Sequence, residues 1–133
     1  MTRRKLRENV FTILFQYDFF PSEEMDGQIK LYLAGEEQEH FSEQEKLEIE
    51  VRAKSAVLQI PEIDMRIEQE AEGWTIGRMG KVELTIIRLA LFEMLYDTEV
   101  PNPVAINEAI ELAKKFGGDE APSFVNGILA KLA

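Results

Sequence analysis

The stretch "PVAINEAIELAKKFGG", residues 103–118, specifies a helix at both of its ends. Asn102, just before it, is a typical N-cap residue, and Pro103 suits the first helical position because no amide partner is needed there. Two lysines lie in the last turn, where cations favour the helix dipole, and Gly117 is typical of a helix end. These signals predict an α-helix that stops at a glycine turn.

Apolar residues of the same stretch recur at helical spacing and so define one face. Polar and charged residues occupy the opposite face. The apolar positions are Ala105, Ile106, Ala109, Ile110, Leu112, Ala113 and Phe116. This pattern predicts a core helix with a solvated back, and it contains no obvious catalytic group.

Working outward from this helix, nearly every other segment has a helical pattern too. Ser42 and Glu45 form a capping box, in which each side chain bonds the other residue's backbone amide. No strand alternation or internal repeat competes with the helical reading. The predicted helices span residues 3–20, 25–34, 42 to about 59, 61–74, about 80–96, 103–116 and 122–132. The predicted fold is therefore all-α, a bundle of about seven helices.

Composition excludes several classes of protein. The chain has 133 residues and no cysteine, so disulfides and thiolate-based sites are excluded. His40 is the only histidine and lies among glutamates, which is typical of a solvated loop rather than a metal site. No apolar run approaches the roughly 20 residues of a membrane span. We expect a soluble, cytoplasmic protein of one domain without a metal.

The charge is strongly acidic but unevenly distributed. The net charge is −10, which by itself argues against nucleic acid, since phosphate binding relies on Lys and Arg. Within residues 1–20, however, four cations face two acids, so this segment carries +2 and the remainder −12. Residues 36–50 contain seven acids and one lysine, a pattern typical of a solvated face. The first helix is thus the one region suited to phosphate.

Three phenylalanines form a separate line on the first helix. Its apolar face comprises Leu6, Val10, Ile13, Leu14, Tyr17 and Phe20. Phe11, Phe15 and Phe19 are spaced by four residues, and Arg4 and Arg7 flank them. Such a line is typical either of a helix buried on two sides or of an aromatic and arginine surface. A surface of this kind suits single-stranded RNA or a partner protein.

Nothing in the sequence predicts an enzyme. The acids are spread over solvated faces, without a nucleophile and base to accompany them. The segment "TIGRMGK", residues 75–81, resembles half of a phosphate-binding loop but follows no strand. No catalytic residue, cofactor or metal ligand is predicted.

Several segments together resemble the NusB family of transcription antitermination factors. They are "RRKLRENVFTILFQYDF", "EGWTIGRM", "IIRLALFEML" and "VPNPVAINEAIELAKKFGGDEAPSFVNGILAKL", which together extend over essentially the whole chain. The resemblance implies two small helical subdomains, about 1–75 and 76–133, without catalytic activity. It also implies binding to boxA RNA together with NusE, a small-subunit ribosomal protein. That complex would act on the RNA polymerase elongation complex with other Nus factors.

The resemblance also implies site residues. The N-terminal cations would contact phosphates, an aromatic of the last helix would stack on a base, and an amide beside it would bond a base edge; a core role is the alternative for these last two. The implied RNA-binding residues are Arg3, Arg4, Lys5, Arg7, Glu120, Phe124 and Asn126. The candidate partner-binding residues are Phe11, Phe15, Phe19 and Glu83.

Three alternatives stay open at this point. The phenylalanine line could form a homodimer contact instead of a partner contact. The same helical module also occurs as a substrate-positioning domain of RNA cytosine methyltransferases. A helical scaffold protein that binds no RNA is the third reading.

Overall fold

The computed structural model describes residues 1–133 and contains six α-helices and no strand. Short 3₁₀ turns lie at Phe15–Phe19, Ser22–Glu24, Glu36–Gln38 and Ile76–Arg78. The helices are α1 (Arg3–Leu14), α2 (Met25–Leu33), α3 (Glu43–Glu70), α4 (Lys81–Tyr96), α5 (Asn102–Phe116) and α6 (Ala121–Leu132). The all-α prediction is confirmed, with six helices rather than about seven. None of them is both long and apolar enough to span a membrane.

The missing seventh helix is explained by α3, which runs unbroken through Pro61. The sequence predicts one helix ending near Gln59 and another beginning at Pro61, and this division is wrong. An internal proline costs about 3 kcal/mol, whereas each buried isoleucine contributes about 1.5–3 kcal/mol. One apolar stripe of α3 continues across the proline, so burial of these side chains outweighs the cost of the proline. Its buried members are Ala53, Ala56, Ile60, Ile63 and Ile67.

The predicted boundary of the first helix also needs correction. The sequence predicts a helix over residues 3–20, but α1 ends at Leu14 and a 3₁₀ turn, Phe15–Phe19, follows. Phe20 is extended, with φ −136° and ψ 149°. A residue before proline is pushed out of the helical region by the proline ring, and Pro21 follows directly. Pro21 therefore accounts for the extended conformation of Phe20, where the helical segment stops, while the change from α-helix to 3₁₀ turn already occurs at Phe15.

The chain forms two compact units, Met1–Leu58 and Gln59–Ala133, which divide within α3. In the first unit, Asn9 joins α1 to α2. Its side-chain amide donates to the Lys5 carbonyl at 2.9 Å, and its oxygen accepts from the Tyr32 hydroxyl at 2.6 Å. Both polar ends of this buried asparagine are thus satisfied, and the bond to Tyr32 holds α1 against α2.

The second unit is organised around α4, whose residues from Leu84 to Glu93 are all buried. This helix packs against α5 and α6, and α5 packs against α6. The Arg88 guanidinium is held by a bidentate contact to Asp64 of α3, with both N–O distances 2.8 Å. Such a two-bond pair in a buried setting fixes the position of α3 against α4.

Helix α5 confirms the prediction made from the opening stretch, with two corrections. Asn102 is the first helical residue and Pro101 precedes the helix, so Asn102 does not cap it with its side chain. Phe116, predicted on the apolar face, is 38% exposed at the helix end. The buried positions are Ala105, Ala109, Leu112 and Ala113.

Gly117 is required by the close approach of α6 rather than by its backbone angles. Its φ of −99° is open to any residue. A Cβ there, however, would lie 2.5 Å from the Ala121 Cβ and 2.9 Å from the Ala113 carbonyl oxygen. The absence of a side chain therefore lets α6 start directly against the end of α5.

Candidate nucleic-acid interface

Three exposed cations occupy the first turn of α1. Thr2 caps this helix, accepting from the Lys5 amide at 3.0 Å. Arg3, Arg4 and Lys5 follow, and the first turn contains no acid. Cations are disfavoured at the positive end of a helix, so these side chains do not stabilise α1. Their placement concentrates positive potential at one exposed helix start.

The carboxylates near these cations hold them only weakly. Arg3 lies 3.6 Å from a Glu48 oxygen, and Lys5 lies 3.7 Å from a Glu8 oxygen. Exposed pairs of this kind contribute about 0–1 kcal/mol, so a phosphate can replace the carboxylates at little cost. Both cations are therefore available for an anionic ligand.

Arg7 differs from the other three, because it is only 8% exposed. The sequence groups it with Arg3, Arg4 and Lys5 as one phosphate-binding cluster, and in this respect the grouping is wrong. Position 7 lies one turn above Arg3 on the side of α1 that also carries the buried Val10. The exposed basic cluster consists of three residues.

The phenylalanine line is neither wholly core nor wholly surface. Phe11 is 4% exposed, Phe15 is half-buried and Phe19 is 58% exposed. Successive ring centroids are 6.4 Å and 5.4 Å apart. The line thus runs from the interior to the surface. Phe11 belongs to the core, and only Phe15 and Phe19 are placed to contact a partner.

The turn before α6 places Glu120 at the start of that helix. Glu120 is exposed, and its carbonyl accepts from the Phe124 amide at 3.1 Å. Asp119 beside it is also exposed. Two carboxylates therefore lie at the positive end of α6, where they are electrostatically favourable.

The predicted pair Phe124 and Asn126 does not share one face of α6. Residues two apart on an α-helix point about 200° apart, and the buried Val125 lies between them. Phe124 is half-buried, whereas Asn126 is exposed. One ligand base cannot be contacted by both side chains as the motif suggests. Helical spacing instead places Glu120 and Lys131 on the side of Phe124.

The contacts of Phe124 bring together residues that the sequence reading did not select. Its ring meets Trp74 nearly edge-on, with centroids 4.8 Å apart and an interplanar angle of 77°. The guanidinium carbon of Arg78 lies 5.4 Å from the centroid of the same indole ring. The available signal was the segment "EGWTIGRM", which contains the only tryptophan of the chain. Spacing alone could not pair it with α6, 50 residues later.

Glu83 lies in the first turn of α4 and is half-buried. Its carboxylate folds back over Gly80, so that a side chain at position 80 would collide with it. An acid at this end of a helix is stabilising. Glu83 therefore has a local structural role. Its contact with a partner protein stays a prediction.

Comparison with known proteins identifies the family. The sequence profile of the NusB family matches residues 4–133. The chain belongs to the NusB family. The transcription antitermination protein NusB of Lachnoclostridium phytofermentans is 48% identical over 132 residues, which cover 99% of this chain and 98% of that relative.

Solved NusB structures have the same fold. T. maritima NusB is 32% identical, with a TM-score of 0.86 over 100% of this chain and 91% of that one. The crystal structure of the antitermination factors NusB and NusE in complex with double-stranded RNA contains a chain that is 26% identical, with a TM-score of 0.81 over 99% of this chain and 97% of that one. The NusB resemblance found in the sequence is confirmed. Since its relatives are antitermination proteins, the chain is a transcription antitermination factor and not an enzyme.

Proposed function

We propose that the protein binds boxA RNA of ribosomal RNA operons together with NusE and acts on the RNA polymerase elongation complex with other Nus factors. The observation that carries this proposal is the likeness, over 99% of the chain, to a NusB crystallised with NusE and double-stranded RNA. The chemistry of two surfaces, both on the unit Met1–Leu58, supports it.

The first surface is the exposed basic cluster, Arg3, Arg4 and Lys5. Arginine clamps a phosphate with two parallel N–H donors, and lysine binds it as a point charge. Backbone amides at a helix start add further donors for anions. Because the rest of the chain is acidic, three cations give modest affinity alone. NusE would supply additional positive charge and a joint surface.

The second kind of contact is with NusE itself. Phe19 exposes more than half of its side chain, and Phe15 packs beside it at 5.4 Å between ring centroids. Exposed neighbouring aromatics are typical of protein interfaces, where they bury much area at low entropic cost. We assign NusE, or a second copy of the chain, to this aromatic pair, and Glu83 is the alternative contact on the other unit.

A binding experiment separates the RNA claim from simple charge effects. Fluorescence anisotropy of labelled boxA RNA is measured with and without NusE across a salt series, for wild type and a triple variant. The triple variant replaces Arg3, Arg4 and Lys5 by glutamine. The matched control replaces three exposed lysines elsewhere by glutamine: Lys30, Lys81 and Lys114.

Each phosphate contact on single-stranded nucleic acid contributes about −0.7 to the slope of log K against log salt. Losing three contacts should therefore make the slope less negative by about 2 in the triple variant, and by much less in the control. Equal slopes for the two variants would reject the basic cluster as the phosphate site. Absence of boxA binding by wild type with NusE would reject the proposed function.

The oligomeric state shows whether Phe15 and Phe19 contact NusE or a second copy of the chain. Sedimentation velocity of wild type and of Phe19→Ser distinguishes the cases. A wild-type dimer that becomes monomeric in the variant assigns the pair to a homodimer. A wild-type monomer whose variant loses NusE in a pull-down assigns it to NusE.

A further inference from the structure

We propose that Trp74 and Arg78, together with Phe124 and Lys131, form a second RNA contact, a subsite for one unpaired nucleotide. The inference rests on the RNA-binding function proposed above and adds a site on the unit Gln59–Ala133. All four residues belong to this unit: two lie in the connection between α3 and α4, and two lie on α6.

The connection between α3 and α4 is held rigidly by its own hydrogen bonds. The Trp74 amide donates to the Ala71 carbonyl at 3.0 Å, and the Ile76 amide donates to the Glu68 carboxylate at 3.0 Å. Gly73 has a φ of 80°, the only positive φ in the chain, which turns the backbone sharply after α3. Trp74 and Arg78 are thereby presented from a defined turn, not from a loose loop.

Hydrogen bonds position Arg78 and Lys131 without neutralising their charges. Arg78 donates to the Gly73 carbonyl at 3.4 Å, and Lys131 donates to the Glu72 carbonyl at 3.3 Å. These carbonyls lie in the turn just after α3, which ends at Glu70, and a carbonyl accepts a hydrogen bond without carrying a net charge that could cancel the cation. The partners of Arg78 and Lys131 are backbone carbonyls and not carboxylates, although acids outnumber cations 25 to 15 in the chain. Their charge is available to a phosphate.

The rings of Trp74 and Phe124 supply the contact for a base. Trp74 and Phe124 are each half-buried, so neither ring is enclosed. In a nearly perpendicular pair, one ring offers only its edge to the other and keeps its faces for a further planar group. Arg78 lies within the 6 Å range of a cation–π contact with the indole, and arginine itself stacks on bases. Stacking is tolerant of base identity, which predicts an unpaired nucleotide of either class.

Two glycines, one in the turn and one on α6, leave the side chains of the proposed subsite accessible. Gly77 follows Trp74 in the turn, and Gly127 lies between Phe124 and Lys131 along α6. A Cβ at either glycine would have no neighbour within 4 Å. A nucleotide can therefore approach the rings and the two cations closely.

The only tryptophan of the chain makes a direct test possible. Intrinsic fluorescence is recorded while single-stranded boxA RNA is added to the protein with NusE. The Trp74→Phe variant provides the background from any tryptophan in NusE. A base stacked on Trp74 quenches its emission, so we expect saturable quenching that follows the anisotropy of the labelled RNA.

Variants separate binding from packing. Arg78→Gln and Lys131→Gln should each make the salt slope less negative by about 0.7, whereas Arg78→Lys keeps the slope but weakens binding through loss of the stacked guanidinium. Lys114→Gln, which removes one exposed charge elsewhere on the same unit, should leave slope and affinity unchanged. Circular dichroism melts verify that each variant is folded.

The experiments distinguish failure of the subsite proposal from failure of the proposed function. RNA binding by anisotropy with unchanged Trp74 emission, and with wild-type salt slopes in Arg78→Gln and Lys131→Gln, overturns the subsite and leaves the proposed function intact. Absence of RNA binding by wild type with NusE overturns both.

Discussion

Replacement of Gly117 by alanine tests whether the contact between α5 and α6 depends on a missing side chain. The new methyl group would lie 2.5 Å from the Ala121 Cβ and 2.9 Å from the Ala113 carbonyl oxygen. Carbon contacts are optimal at about 3.5–4.0 Å, so α6 must move by about 1 Å. Because φ is −99° and ψ is 178°, alanine itself is unstrained there. In the folded state the perturbation is therefore steric alone.

The magnitude follows from two opposing effects. Overpacking of this kind costs about 1–3 kcal/mol, and replacing glycine by alanine recovers about 0.4–1 kcal/mol by restricting the unfolded chain. We expect Gly117→Ala to lose about 1–2 kcal/mol. Gly118→Ala is the matched control, since a Cβ there meets nothing within 4 Å and its φ is not positive. That variant should gain up to about 1 kcal/mol.

Thermal melts by circular dichroism measure the difference. At about 2.1 cal/mol/K per residue, the unfolding entropy is about 0.28 kcal/mol/K for the 133 residues of the chain. Gly117→Ala should thus lower Tm by about 4–7 °C, while Gly118→Ala should raise it by up to about 4 °C. If the two variants melt at the same temperature, or if Gly117→Ala melts above wild type, the close-approach argument is refuted.

Four other substitutions address charge and burial. Glu120→Lys reverses an exposed charge on the face of α6 that carries Phe124, so boxA affinity at low salt should rise about fivefold; unchanged anisotropy would place the RNA elsewhere. Leu14→Asp, at a 1% exposed site, should unfold the protein, whereas Phe19→Asp should keep the wild-type Tm within about 2 °C and lose NusE in a pull-down. The N-terminal amino group donates to the Glu45 carboxylate and lowers the pKa of Glu45 from 4.5 to about 2. This ion pair therefore contributes fully to the free energy of unfolding above about pH 4.5, and the contribution is lost as the pH falls toward 2. Glu45→Gln should flatten the dependence of stability on pH in that range, as measured by urea melts.

Local sequence signals predicted most of the fold because helix ends are marked by short-range chemistry. The Ser42 and Glu45 capping box forms as expected, with the two reciprocal bonds at 2.9 and 3.1 Å. The sequence predicts a helix break at Pro61 because the cost of proline is local, whereas the apolar stripe that outweighs this cost acts through packing on both sides of it. Helix α1 is shorter than the sequence predicts because the apolar pattern continues past Leu14 into the 3₁₀ turn Phe15–Phe19.

The candidate site was less predictable because it depends on burial and on distant contacts. Arg7 and Phe11 have the same residue types as their exposed neighbours, and only packing distinguishes them. Asn126 follows Phe124 in a compact motif, yet helical rotation separates their side chains. The meeting of Trp74 with Phe124 joins segments 50 residues apart, and no local pattern encodes such a contact.

Pro61 has a consequence for the local opening of α3. Proline has no amide hydrogen, so the carbonyl of Val57, four residues earlier, lacks its helical donor. The missing bond would have spanned Leu58 and Gln59, where the two compact units divide. Units with mainly internal contacts open as separate cooperative units. Amide hydrogens of α3 before and after the proline should therefore exchange with two distinct protection factors, and this one helix then reports the opening free energy of each unit.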